Sequence, residues 1–154
     1  MLELMDQAIP MESEKKRKET GLATGFITRS VENLDPGFYI MDSAEGKFGR
    51  VSSGPLHEKV AVACLDQDWL KHAAVHFLLM ANFEKGGIAH SGRGYRYVML
   101  EAGRLGQRIY LGATALGMGC CGIGAFYDEE IRRFLALNNE SALLYLVAVG
   151  PCKT

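Results

Sequence analysis

Glu101-Ala102-Gly103-Arg104-Leu105-Gly106-Gln107 runs on through Leu111-Gly112-Ala113-Thr114-Ala115-Leu116-Gly117-Met118-Gly119 to Cys120-Cys121-Gly122-Ile123-Gly124-Ala125-Phe126-Tyr127-Asp128. The first part belongs to the longest helical pattern in the chain, Tyr95 to Leu116, a rod of about 33 Å at 1.5 Å per residue. Glu101, Arg104 and Arg108 share one stripe at spacings of three and four, and most of the remaining surface is Leu, Ile, Ala and Gly. Gly103, Gly106 and Gly112 each cost such a helix roughly 1 kcal/mol relative to alanine. Glycines kept at that cost signal close approach of another backbone or a flat ligand, so a central, mostly buried helix is expected. Gly117-Met118-Gly119 ends it.

Outward from this helix, Phe26 to Val31 has strand chemistry and Leu34-Asp35-Pro36-Gly37 is a turn signal. Phe38 to Met41 and Lys47 to Val51 flank Asp42 to Gly46 as a hairpin. His57 to Leu65 reads as a helix after Pro55, with Gln67 to Lys71 as its continuation. Ala74 to Ala81 is a continuous apolar run suited to a strand buried on both faces. Glu84 to Gly94 is a glycine-rich loop and Cys120 to Phe126 a short glycine-punctuated connection. Asp128 is the expected N-cap of a helix from Glu129 to Leu137, and Ala142 to Val149 a final strand. Hairpin, helices and isolated strands together give an α+β class, with a central antiparallel or mixed sheet. Residues 1–24 form a charged N-terminal segment, including Lys15-Lys16-Arg17-Lys18, and residues 25–154 the single domain.

Composition excludes several function classes. Seventeen Lys and Arg balance eighteen Asp and Glu, so no strong field draws nucleic acid or an anionic membrane. The longest apolar stretches fall short of the ~20 residues of a membrane helix, and the acidic start of the chain is unlike a signal peptide. Four cysteines with no CxxC argue against a disulfide framework or a zinc site and suit a reducing, cytoplasmic setting. His72 and His76 have the i,i+4 spacing of a metal pair but lack a third ligand, and core or surface histidines fit them better.

The segment from Cys120 to Phe126 carries the candidate chemistry. Its glycines let backbone N–H groups approach a ligand with no Cβ in the way. A flavin ring suits such donors, because two-electron reduction pushes negative charge toward its N1 and C2 carbonyl. The same residues also serve as a plain connection. GxGxxG after a strand and GxxxxGK[ST] are both absent, so dinucleotide-fold and P-loop readings fail.

Glu101 to Gln107, Leu111 to Gly119 and Ile123 to Asp128, in this order and spacing, resemble the nitroreductase superfamily, and within it the SagB-type dehydrogenases, whose relatives oxidise azolines in peptide natural products. Arg93-Gly94-Tyr95-Arg96-Tyr97, Leu34-Asp35-Pro36-Gly37-Phe38-Tyr39 and Leu144-Tyr145-Leu146-Val147-Ala148-Val149-Gly150 are similar to the same branch, and the resemblance runs from about residue 31 to the end. It implies a nitroreductase-like α+β fold with a long buried central helix, a homodimer, and FMN at the subunit interface. It also implies ping-pong hydride transfer from NAD(P)H to FMN and on to a small organic acceptor. By position, Gly124 and Ala125 would offer their N–H groups to the flavin N5 and O4 edge, with Cys121, Gly122 and Ile123 beside the ring. Gln107 matches a glutamine of the family's central helix, set behind the ring, and Lys153 falls near the cation that meets the FMN phosphate.

Two departures from the family pattern bear on activity. The basic and serine-containing motif that usually precedes the first strand and holds the phosphate has no counterpart here; Lys15 to Lys18 is the only substitute. An unpaired, buried phosphate is costly, so one alternative is a truncated, non-catalytic relative acting as a partner subunit or interaction module. Where the azoline branch carries Lys-Tyr for proton removal, this chain has His90-Ser91. His90 is the candidate acid–base residue near neutral pH, with a solvated loop histidine as the alternative.

Overall fold

The computed structural model describes residues 21–42, 45–83 and 93–152. Six strands are formed: β1 Leu22–Thr28, β2 Gly37–Asp42, β3 Lys47–Ser53, β4 Val75–Asn82, β5 Met118–Ile123 and β6 Ser141–Pro151. The helices are α1 His57–Ala63, α2 Gly94–Ala115 and α3 Asp128–Leu135, with a 3-10 turn at Asp68–His72. The strands make one sheet in the order β3-β2-β1-β4-β6-β5, and every neighbouring pair is antiparallel. This is the α+β class read from the sequence, with the sheet wholly antiparallel.

β4 sits at the centre because both of its faces are apolar. Val75, Phe77, Leu79 and Ala81 face α2, whose Val98, Ala102, Leu105, Ile109 and Ala113 lie four or so residues apart on one stripe. Leu78 and Met80 face the other way, onto Val60 and Ala61 of α1 and Ile131 and Leu135 of α3. The sheet is therefore a filling between one long helix and two short ones. In β6, a register shift sets Leu79 opposite Tyr145 but Met80 opposite Leu143. The extra residue, Leu144, joins Tyr145 in the cluster under α2. Bulges of this kind re-aim side chains at the rims of sheets.

Several boundaries differ from the sequence reading. β1 starts at Leu22, inside the expected N-terminal segment, because Leu22 to Thr24 pair with Leu79 to Ala81 and Leu22 is buried. It stops at Thr28, three residues short of Val31, which bridges to Leu34 in the following turn. The helix from His57 does not continue into the next turn, because Leu65 and Asp66 adopt left-handed φ values of 61° and 56°. Tyr127, not Asp128, is the N-cap of α3, and Ala136 at φ 52° ends that helix before Leu137. The expected connection at Cys120 contains a strand, β5, made by pairing with β6. α2 is buried on one side only: Tyr97, Leu100 and Leu111 on the other are exposed.

Candidate active site

β5 is an edge strand, so alternate N–H groups point away from β6. The Gly122 N–H donates to the Tyr110 hydroxyl of α2 at 2.5 Å. Past Ile123 come Gly124 and Ala125, both exposed, and neither N–H finds an acceptor among the described residues. Two residues further on, the Tyr127 N–H donates to the Ala63 carbonyl at the end of α1, at 2.7 Å. The pair of free amides is thus held between two anchored ones.

Gly124 borders a cleft of about 410 Å³ between α2 and the ends of β5 and β6, lined also by Met99, Ala102, Gly103, Gln107, Tyr110, Leu144 and Tyr145. No ionisable group other than the two tyrosines lines it among the described residues. A Cβ on Gly103 would meet nothing within 4 Å, so that glycine leaves a flat wall of helix open to the cleft. Gly106 and Gly122 have a different reason. A Cβ on Gly106 would lie 2.6 Å from Tyr145 Cε1, and one on Gly122 would lie 1.7 Å from Tyr145 Oη. The two glycines are the slot through which the Tyr145 ring reaches the cleft floor. Burial, then the neighbouring Tyr110, push the Tyr145 hydroxyl above its ordinary pKa, so it stays protonated at neutral pH.

Of the residues the resemblance singled out, Gln107 and Gly124 line this cleft, and Gly122 stands beside it with its N–H on Tyr110. The structure separates Cys121 and Ile123 from them, since successive side chains of a strand face opposite ways. Cys121 borders a smaller cleft of about 230 Å³ on the other side of the sheet, with Trp69 and His72. Ile123 is buried in the core with residues of α1 and α3. Burial, then Cys121 and Cys152, raise the Cys120 thiol, which disfavours the reactive thiolate there. His90 and Lys153 lie outside the described residues. His76 stands in β4 with its ring 4.6 Å from that of His57, not paired with His72. The sequence motifs give neither Tyr110 nor Tyr145 a role, although Tyr145 stands in the Leu144 to Gly150 block; the glycines at positions 106 and 122 are the signal that something bulky passes between helix and strand.

The nitroreductase family model matches residues 3–151, nearly the whole chain. The chain belongs to the nitroreductase family. A candidate nitroreductase of Methanocaldococcus jannaschii, MJ1384, is 34% identical over 116 residues, covering 75% of this chain and 59% of its own. The crystal structure of a candidate nitroreductase from Anabaena variabilis superposes with a TM-score of 0.85 at 25% identity, over 97% of this chain and 33% of that one. An FMN-dependent nitroreductase of Clostridium difficile shares the fold at a TM-score of 0.57 and 16% identity, over 98% of this chain and 73% of that one. The chain thus spans about three fifths of the M. jannaschii relative and a third of the Anabaena chain. These likenesses bear out the nitroreductase-like α+β fold read from the sequence of this chain. Among its described residues no helix is long and apolar enough to cross a membrane.

Proposed function

We propose that this nitroreductase-family chain is an FMN-dependent oxidoreductase that passes hydride equivalents from NAD(P)H to a small organic acceptor. One observation carries the reading: two adjacent amides, Gly124 and Ala125, without an acceptor among the described residues, the first of them on the rim of a neutral cleft walled by helix glycine and tyrosine. Fixed backbone donors next to a flat, low-charge wall fit the edge of a planar ring, where an acceptor atom meets an N–H without a competing side chain. FMN, when bound, would supply the two-electron carrier. Gly124 and Ala125 would hold its N5 and O4 edge, and Gln107 would orient a polar group at the same rim. The protein's contribution is then orientation and electrostatics, with the donors already fixed before the ring arrives. The cleft's described lining holds no cation for a phosphate, which leaves that part to residues such as Lys153 or to another chain.

His90 is retained as the acid–base residue on the chemistry of imidazole alone. A second copy of the chain is the proposed partner, seated on the exposed Tyr97, Leu100 and Leu111 of α2. The SagB-type branch is supported by the motifs quoted above. A cytoplasmic setting agrees with four free cysteines. An absorbance spectrum of the purified chain, before and after reconstitution with FMN, tests the reading. The expected result is bound flavin that NADH or NADPH bleaches and a quinone or nitroaromatic restores. A chain that stays colourless after reconstitution overturns it.

A further inference from the structure

We infer that Tyr110 is a positioning residue of the cleft: by accepting the Gly122 N–H it fixes the end of β5, so that the Gly124 and Ala125 amides stay turned toward the planar ring bound beside them. The inference rests on the flavin reading above and deepens it. The N–H of a residue on an edge strand, turned away from its one neighbour, is normally left to water. Here the acceptor comes from α2, twelve residues earlier in the chain, at 2.5 Å. The Tyr145 ring presses on the same glycine from within, since its Oη occupies the place where a Cβ would stand. At the far end, the Tyr127 amide is held by the Ala63 carbonyl at 2.7 Å. Between the two anchors the buried Ile123 side chain ties the segment to the core. Among the described residues, the Gly124 and Ala125 amides between them remain unspent.

That arrangement has a chemical consequence. A loop free to turn would have to be ordered when the ring binds, and its amides would face the ring in only part of the population. A loop already held meets the ring with donors in place, which raises affinity and stabilises charge that builds on the ring edge. Tyr110 touches the loop through one hydroxyl oxygen, so removing that oxygen alone separates positioning from packing.

The test is Tyr110→Phe in the FMN-reconstituted chain, with Tyr110→Leu as a second variant that also lacks the hydroxyl. Losing one neutral hydrogen bond should raise the FMN dissociation constant about three- to tenfold. The visible bands of the bound flavin should move toward those of free FMN, a change that loss of stability alone does not cause. In the FMN-free protein, the Gly122 amide should exchange with solvent faster in Tyr110→Phe while amides in the centre of β4 keep their protection. Unchanged flavin bands and affinity, or unchanged exchange at Gly122, overturn the inference. Wild-type protein that takes up no FMN overturns the flavin reading first and this inference with it, and that result is seen before any variant is made.

Discussion

Gly122 is where helix, strand and cleft meet, and its missing side chain is what lets them. A methyl group there would fall 1.7 Å from Tyr145 Oη and 2.4 Å from Cζ, with the ring clamped on its other side by Gly106. Gly122→Ala should therefore destabilise the chain by about 1–3 kcal/mol, the usual cost of overpacking, as read in denaturant unfolding. In a Tyr145→Ala background the same substitution should cost little, because the group it strikes is gone. Additive effects of the two changes in the double-mutant cycle would show that the slot is not shared. Gly124→Ala makes the contrast. A Cβ there meets nothing within 4 Å, so its effect on unfolding should stay within about 0.5 kcal/mol. The two glycines look alike in the motif, yet one accommodates a tyrosine and the other leaves an amide open. Nothing local in Gly122-Ile123-Gly124 distinguishes them, because the distinction comes from Tyr145, over twenty residues away.

At the scale of elements, what was legible depended on whether an element's reasons were local. The helix read over Tyr95 to Leu116 is α2, Gly94–Ala115, since its periodicity and its glycine stop are written in its own residues. The hairpin of β2 and β3 and the apolar β4 were read nearly in place for the same reason. β5 was not, because Met118 to Ile123 is rich in glycine and cysteine and becomes a strand only by pairing with β6. The packing of α1 on β4 was hidden in the same way. There His57 and His76 bring their rings to 4.6 Å, both buried, with no close hydrogen-bond partner for the ring nitrogens among the described residues beyond the Leu70 backbone near His76. Burial, with Arg29 beside it, lowers His57 to about 4. Burial, with His57 beside it, lowers His76 to about 3. Arg29 comes just after β1, where its guanidinium donates to the Lys71 carbonyl at 2.6 Å, and Cys64, which caps the end of α1, lies in the same core with its thiol pushed up to about 11. In the unfolded chain both histidines titrate near 6.5, so between that pH and about 4 the unfolded state binds more protons. Stability is then full above about pH 6.5 and falls as pH drops toward 4, by an amount on the order of 3 kcal/mol for His57 alone. Unfolding free energy measured from pH 7.5 to 4 should show this slope, and His76→Leu, which removes one proton acceptor, should flatten it. A wild-type profile that is level between pH 6.5 and 4 would refute the account.

For the molecule as a whole, the question is what α2 does with the side the sheet does not use. Its inner stripe is spent on β1, β4 and β6, while Tyr97, Leu100 and Leu111 stand outward, between 60% and 69% exposed. A helix of about 33 Å presents a face of the order of 300–400 Å², against about 800 Å² per partner in a stable interface. If a second copy sits on this ridge, the contact must therefore spread beyond it, and the nearest surface is the cleft wall of Met99, Gly103 and Gln107. Dimer and cleft would then share a border, as the family resemblance implies for a ring bound between subunits. Leu100→Asp puts a charge in the middle of the ridge, at a residue that is 69% exposed. Its unfolding free energy should stay within about 0.5 kcal/mol of wild type. In light scattering after size exclusion the wild type should have the mass of two chains and Leu100→Asp the mass of one. Because the ring would lose the wall supplied by the second copy, the variant should also retain less FMN through the same column. A wild type that runs as a monomer would remove the dimer. A monomeric Leu100→Asp that keeps its full share of FMN would leave the dimer standing and confine the ring to the cleft of a single chain.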